Sequence, residues 1–352
     1  MKKIVLFDQD LQHYRQDIYK YFEVEFRSLG YSFVVYFDKN LNSTKANTLF
    51  HPIEFNFSSF RRAVIDENAG IVIQFVWLKY KFLIPFMLWC RSANIKIILW
   101  SHGINLQKKD QLIKNQLYYL RQRLSDALLI YTPNQKKFLK VKEEKIFVAY
   151  NTLDFNILPQ LTSSKDELKA KYKLSGKKII LCVGRMNTNN RKVDQLIKLS
   201  TILSEDYVIV IIGPGISETK MVQINFSKSI IYLGEIYDQL IVSEYYKLAD
   251  VFVMPGAIGL AINSALYFGT PVVIENVDHG PESYYLKEGI NGFYYKKNDV
   301  IDLLEKINIL TNDEESYTKY SCNAKETMNM EGTIEKMFDG FIKAIKYVQK
   351  YT

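Results

Sequence analysis

Largely apolar runs of only three to six residues recur along the whole chain, separated by longer amphipathic stretches, and this alternation restricts the fold more than any other feature. In the first half the runs fall at 4–7, 33–37, 70–74, 95–99, 127–131 and 146–149; in the second at 178–183, 207–212, 230–233, 251–254, 271–275 and 292–294. Short runs without a polar face suit parallel strands covered on both sides. Helical spacing at 14–29, 79–91 and 112–124 supplies connecting helices, so the pattern predicts repeated βαβ units and two doubly wound α/β sheets. A chain of 352 residues, 48% hydrophobic, is long enough for two such domains. The segment 154–175 holds Pro159 and the capping sequence Thr162-Ser163-Ser164-Lys165-Asp166-Glu167-Leu168, and reads as the linker. A last helix is expected near 333–350, with Ile334, Met337, Phe338, Phe341, Ile342, Ile345 and Val348 at helical spacing. The expected domains are therefore 1–155 and 156–330, with 331–352 as a terminal helix.

The net charge of +8 is concentrated in residues 1–160, which hold 23 Lys/Arg against 14 Asp/Glu. A basic domain can face an anionic membrane or a lipid-diphosphate acceptor. No nucleic-acid motif accompanies the charge, so nucleic acid is not expected as a partner. Cys90, Cys182 and Cys322 are widely separated, which indicates neither a disulfide framework nor a metal cluster and fits a reducing, cytoplasmic setting. The N-terminal apolar stretch is too short for a secretory signal and reads as a first strand. The most membrane-like run, 82–90, includes Pro85 and falls far short of the ~20 residues that span a bilayer. At most a peripheral contact with the inner membrane face is expected.

The stretch 249–271 carries the most chemistry. An apolar strand at 251–254 runs into a glycine-containing loop at 255–259, and a helical segment follows to Phe268, closed by Gly269-Thr270-Pro271. Free backbone N–H groups at such a helix start suit a diphosphate. Gly184-Arg185 lies at the end of another strand, where a planar guanidinium can engage the same anion, with Arg191 or Lys192 supplying a second cation.

These motifs resemble the nucleotide-sugar domain of retaining glycosyltransferases of family 4. The resemblance is carried by Ala249-Asp250-Val251-Phe252-Val253-Met254-Pro255, Gly269-Thr270-Pro271-Val272, Val183-Gly184-Arg185, Arg191-Lys192, Gly213-Pro214-Gly215, Leu233-Gly234, His279-Gly280-Pro281-Glu282 and Glu288-Gly289-Ile290-Asn291-Gly292. It covers roughly residues 178–300. It implies a GT-B fold, two Rossmann-like domains facing across a cleft, and a hexosyltransferase-type activity that needs no metal or other cofactor. The donor it implies is a nucleotide-diphosphate sugar, held by Gly184, Arg185, Arg191, Lys192, Gly256, Gly259, Leu260, Ser264 and Glu282. It further implies that His102, in Trp100-Ser101-His102-Gly103 after the strand at 95–99, is the catalytic histidine close to the donor sugar. His279 is a further candidate.

Two departures stand out. The family has two glutamates eight positions apart on the loop and helix of 249–271, and this chain has Gly256 and Ser264 there. A serine replaces a strong carboxylate contact to the ribose with a weaker one. The family's N-terminal glycine-rich loop is replaced by Asp8-Gln9-Asp10-Leu11-Gln12-His13-Tyr14-Arg15, which leaves Tyr14 and Arg15 as acceptor-side candidates. The Asp8-Gln9-Asp10 triplet is not read as a metal site, because it follows the first strand, ahead of any nucleotide-binding unit.

The resulting expectation is a retaining glycosyltransferase that moves a sugar to a glycan acceptor, lipid-linked, in O-antigen or capsule assembly. Gly256 and Ser264 keep two alternatives open: a non-catalytic nucleotide-sugar-binding scaffold, or a nucleotide-sugar epimerase of the same fold.

Overall fold

A computed structural model describes residues 2–41, 44–104, 111–186 and 190–350. The chain divides into two compact units, Met1–Asp154 with Ile334–Thr352, and Phe155–Thr333.

In the first unit the order is β1 (Lys2–Asp8), α1 (His13–Ser28), β2 (Tyr31–Asp38), β3 (Phe50–Ile53), α2 (Phe57–Asp66), β4 (Ile71–Phe75), α3 (Leu83–Ser92), β5 (Lys96–Trp100), α4 (Leu112–Leu124), β6 (Ala127–Ile130) and β7 (Ile146–Val148). The seven strands form one parallel sheet in the order β3-β2-β1-β4-β5-β6-β7. The order reverses between β1 and β4, and in such sheets the crevice at the carboxyl ends of the strands beside the reversal receives ligands.

Successive residues of β1 serve opposite faces. Ile4 and Leu6 join a core built with Phe22 and Phe26 of α1, whereas Val5 and Phe7 join one with Phe60 of α2 and Phe86 of α3. Phe7 stacks on Phe60 with ring centroids 3.8 Å apart. The strand β3 and helix α2 are not predicted by the apolar pattern. The strand is short, half-exposed and interrupted by Pro52, which an edge position tolerates because no ladder bond is lost there.

The second unit contains α5 (Lys165–Lys171), β8 (Lys178–Val183), α6 (Val193–Ser200), β9 (Tyr207–Ile212), α7 (Glu218–Phe226), β10 (Ile230–Gly234), α8 (Gln239–Leu248), β11 (Val251–Met254), α9 (Ala261–Tyr267), β12 (Val272–Glu275), β13 (Gly292–Tyr295), α10 (Val300–Thr311) and α11 (Glu314–Glu331). Its six parallel strands run β10-β9-β8-β11-β12-β13, with the reversal between β8 and β11. The cap anticipated in the linker falls on Ser164: its hydroxyl accepts from the Glu167 amide at 3.2 Å and its own amide donates to the Glu167 carboxylate at 2.7 Å.

The chain ends in α12 (Ile334–Lys350), which belongs to the first unit and seals the α1 face of its sheet. Phe341 packs 4.7 Å from Phe22 and 4.9 Å from Trp100 between ring centroids. Among the described residues no helix is long and apolar enough to cross a membrane.

Candidate functional site

Both signature loops of the second unit leave strands that flank the reversal. Gly184-Arg185 follows β8, and Pro255–Gly259 follows β11. The ends of β8 and β9 approach so closely that a Cβ on Gly213, at φ +130°, would lie 1.9 Å from the Gly184 carbonyl oxygen. Only glycine fits there, which accounts for the Gly213-Pro214-Gly215 motif. Arg185 is exposed and makes no hydrogen bond or ion pair with a described residue.

The loop after β11 is held from below by one carboxylate. Glu275, at the end of β12 and 0% exposed, accepts from the Gly256 amide (2.8 Å), the Asn298 amide (2.8 Å), Gln195 Nε2 (3.1 Å) and Lys192 Nζ (2.6 Å). Burial alone would raise its pKa, but these contacts outweigh burial and hold it below the ordinary glutamate range. Lys192 also donates to Asn298 Oδ1 at 2.7 Å, so its ammonium is already engaged within the unit. His279 is the second brace: its Nε2 lies 2.6 Å from the Glu275 carbonyl oxygen and its Nδ1 accepts from the Ile258 amide at 3.2 Å. Burial lowers the His279 pKa, which keeps Nδ1 available as that acceptor. The Ala257 amide donates to the Asn190 carbonyl at 2.9 Å. The amides of Gly256, Ala257 and Ile258 are thus all taken inside the protein.

This bracing explains why position 256 carries no glutamate. Gly256 has φ +82°, bridges to Arg191, and would place a Cβ 1.9 Å from the Asn190 carbonyl oxygen. Gly256→Glu is therefore expected to destabilise the protein, with about 1–3 kcal/mol from backbone strain alone and more from displacing the 190–192 segment. Urea denaturation of the variant checks this; an unchanged midpoint would show that the loop has another conformation open to it. Ser264, on α9, hydrogen-bonds the buried Tyr246 phenol and so joins α9 to α8.

Arg191 is different from Lys192. Its Nη1 is buried with no hydrogen-bond partner among the described residues, and its other terminal nitrogen, Nη2, lies 3.3 Å from where a Cβ on Gly259 would stand. Burial lowers the guanidinium pKa, opposed by the neighbouring Cys182 and Glu282. Glu282, 9% exposed in the short 3-10 helix Pro281–Tyr285, brings a carboxylate to the same corner. A half-buried cation whose buried Nη1 is unmet among the described residues, beside a glycine at the edge of the crevice, is an anion site in electrostatic terms. Leu260 caps the N-terminal end of α9 next to it.

In the first unit the corresponding crevice is aromatic. Tyr19 donates to the Asp8 carboxylate at 2.6 Å, and Arg15 lies 3.7 Å from that carboxylate. The guanidinium sits 4.7 Å from the Phe75 ring centroid and 5.0 Å from that of Trp100, with Tyr14 at 5.8 Å. Burial lowers the Arg15 pKa, but Asp8 together with Tyr19, Tyr131 and Tyr14 more than compensates, and the group stays charged. His102 stacks on Tyr131 at 4.3 Å between centroids, and Gln135 Nε2 lies 3.2 Å from its Nδ1. Tyr131 covers one ring face, and the residue as a whole is exposed. Desolvation, assisted by the Arg15 charge, brings the imidazole pKa down to about 4.

Residues 164–327, all within the second unit, match the family model described as glycosyl transferases group 1. The chain carries a glycosyltransferase domain. In fold it resembles HepE from Anabaena, solved with UDP, at a TM-score of 0.77 and 13% identity over 98% of this chain and 100% of that one. Sucrose-phosphate synthase from Thermosynechococcus elongatus gives 0.74 at 15% identity, covering 100% of both chains. The lipopolysaccharide outer core galactosyltransferase WaaB gives 0.69 at 16%, covering 98% and 99%. These likenesses show the GT-B fold, with two Rossmann-like α/β domains. No curated protein matches the sequence.

In this glycosyltransferase the sequence motifs locate Gly184, Arg185, Arg191, Gly259, Leu260 and Glu282 around one reversal, and Arg15 and His102 around the other. Glu275, Tyr131 and Gln135 were not singled out. Glu275 and Tyr131 each close an apolar strand run with a polar group, and Gln135 stands three residues after Thr132 in a capping sequence, which is the signal that marks it.

Proposed function

We propose that the protein transfers a hexosyl group from a nucleotide-diphosphate sugar to a glycan hydroxyl, with retention of configuration and without a metal ion. The unmet, buried Nη1 of Arg191 carries the reading. A guanidinium held in place before the ligand arrives stabilises charge on a departing diphosphate without reorganising. Arg185, exposed and without a hydrogen bond or ion pair to a described residue, supplies the second cation, and Glu282 a carboxylate for sugar hydroxyls. Gly184, Gly256, Gly259, Leu260 and Ser264 shape the walls, and Lys192 acts through Glu275 by fixing the loop. His102 is assigned to the sugar, and Arg15 with Tyr14 to the acceptor side. The cations take the part a metal would otherwise play.

A UDP-linked donor is favoured because HepE has been solved with UDP and with UDP-glucose. A lipid-linked glycan acceptor in surface polysaccharide assembly, at the inner membrane face, is supported by the likeness to WaaB, by the basic first half and by α4. That helix leaves Leu112 and Ile113 75% and 83% exposed beside Lys114, an apolar and basic combination that suits an anionic bilayer surface.

Thermal denaturation with UDP-, GDP-, ADP-, CMP- and dTDP-sugars, with and without magnesium, tests the proposal. One nucleotide class is expected to stabilise the protein by about 2.7 kcal/mol at a hundredfold excess over its Kd, unchanged by magnesium and lost in Arg185→Ala. Stabilisation by none would overturn it.

A further inference from the structure

We infer that Gln135 fixes His102 as the Nε2–H tautomer, so that the imidazole presents a hydrogen-bond donor, and not a base, to the glycosyl group. The assignment follows from which atoms can only donate. Gln135 Oε1 accepts from the Tyr131 amide at 2.7 Å and the Thr132 amide at 3.1 Å. Two backbone N–H groups at one end of the carboxamide require oxygen there, which leaves the NH₂ end facing His102 Nδ1 at 3.2 Å. An NH₂ group only donates, so Nδ1 must be unprotonated and the proton of a neutral ring resides on Nε2.

The surroundings keep the ring neutral. Tyr131 covers one face, and the Arg15 guanidinium, itself bonded to Tyr131 and paired with Asp8, disfavours a second positive charge. With no carboxylate on Nδ1, the ring lacks the partner that turns a histidine into a general base. A neutral Nε2–H can donate to a sugar hydroxyl or ring substituent throughout the neutral pH range. Gln135 is thus a positioning residue acting through His102. The inference depends on the glycosyl-transfer reading only for what the donor contacts; the tautomer stands independently of it.

Long-range ¹H–¹⁵N spectra of the full chain labelled at histidine, with His102 assigned by its loss in His102→Ala, read the tautomer directly. The expected result is a protonated Nε2 and a bare Nδ1. The converse pattern, or a mixture, would overturn the inference. Gln135→Glu provides the functional arm. One carboxylate oxygen still accepts from Tyr131 and Thr132, and the other now demands a proton on Nδ1, so the neutral ring flips to Nδ1–H and its pKa rises. Turnover of this variant is expected to fall roughly 10²-fold above that raised pKa and to recover as pH falls through it, when Nε2 regains its proton. The parent enzyme should show no such step above pH 5. A variant with the parent's pH profile would refute the positioning role even if the tautomer is correct. A parent protein that turns over no donor would refute the glycosyl-transfer reading, while the spectra still decide the tautomer.

Discussion

Ending the chain at Thr333 is expected to unfold the first unit, although the deletion removes none of its strands. The missing helix α12 buries Ile334, Met337, Phe338, Phe341, Ile342, Ile345 and Val348. Burying one large apolar side chain is worth about 1.5–3 kcal/mol, so the helix contributes on the order of 10–20 kcal/mol, against a typical domain stability of about 5–15 kcal/mol. Trp77, Trp89 and Trp100 are the chain's three tryptophans and all belong to the first unit, so their fluorescence reports on that unit alone. The truncated chain should emit like exposed tryptophan while retaining part of its far-UV circular dichroism from the second unit. Blue-shifted, native-like emission with a cooperative melt would show that the sheet holds its open face without α12.

The second large effect is expected at Arg191, where activity and stability should move in different directions. Arg191→Met keeps the aliphatic bulk and removes the charge. If the guanidinium stabilises a departing diphosphate, kcat/KM should fall by roughly 10²–10³-fold, the usual loss for one preorganised electrostatic contact. Thermal stability should stay level or rise, because a half-buried cation with a buried donor unmet among the described residues is a cost to the unliganded fold. A structural arginine would behave in the opposite manner, with a drop in Tm and little change in turnover by the fraction still folded. Measuring both quantities on one preparation separates the two.

Most strands of both sheets are legible because burial on both faces leaves few polar residues to blur them. All six runs of the second half lie on observed strands, and Lys178–Val183, Tyr207–Ile212 and Val251–Met254 match to the residue. The edge strand β3 escaped detection for the opposite reason: at a sheet border a strand can afford Pro52 and solvent contact, so its sequence loses the pattern. Loop chemistry divides similarly. Arg185 and His102 follow apolar runs and can be placed from sequence. The partnerships of Glu275 with Lys192, and of Gln135 with His102, depend on which strands lie side by side, and residues 83 and 33 positions apart give no local sign of that. Position 256 reads in sequence as a missing donor contact, and in the structure the backbone crossing of 190–192 makes glycine a steric requirement there.

The return of the last helix to the first unit has a consequence for synthesis. Chains generally fold domain by domain from the N-terminus as they leave the ribosome. Here the first unit cannot close until residues 334–350 have been made, and the whole of Phe155–Thr333 is translated in between. At about 5–20 residues per second that interval lasts roughly ten to forty seconds. Throughout it the nascent unit presents Phe22 and Phe26 of α1 and Trp100 of β5 without their cover, so the second unit matures first and the N-terminal half is the portion that a holding chaperone would meet.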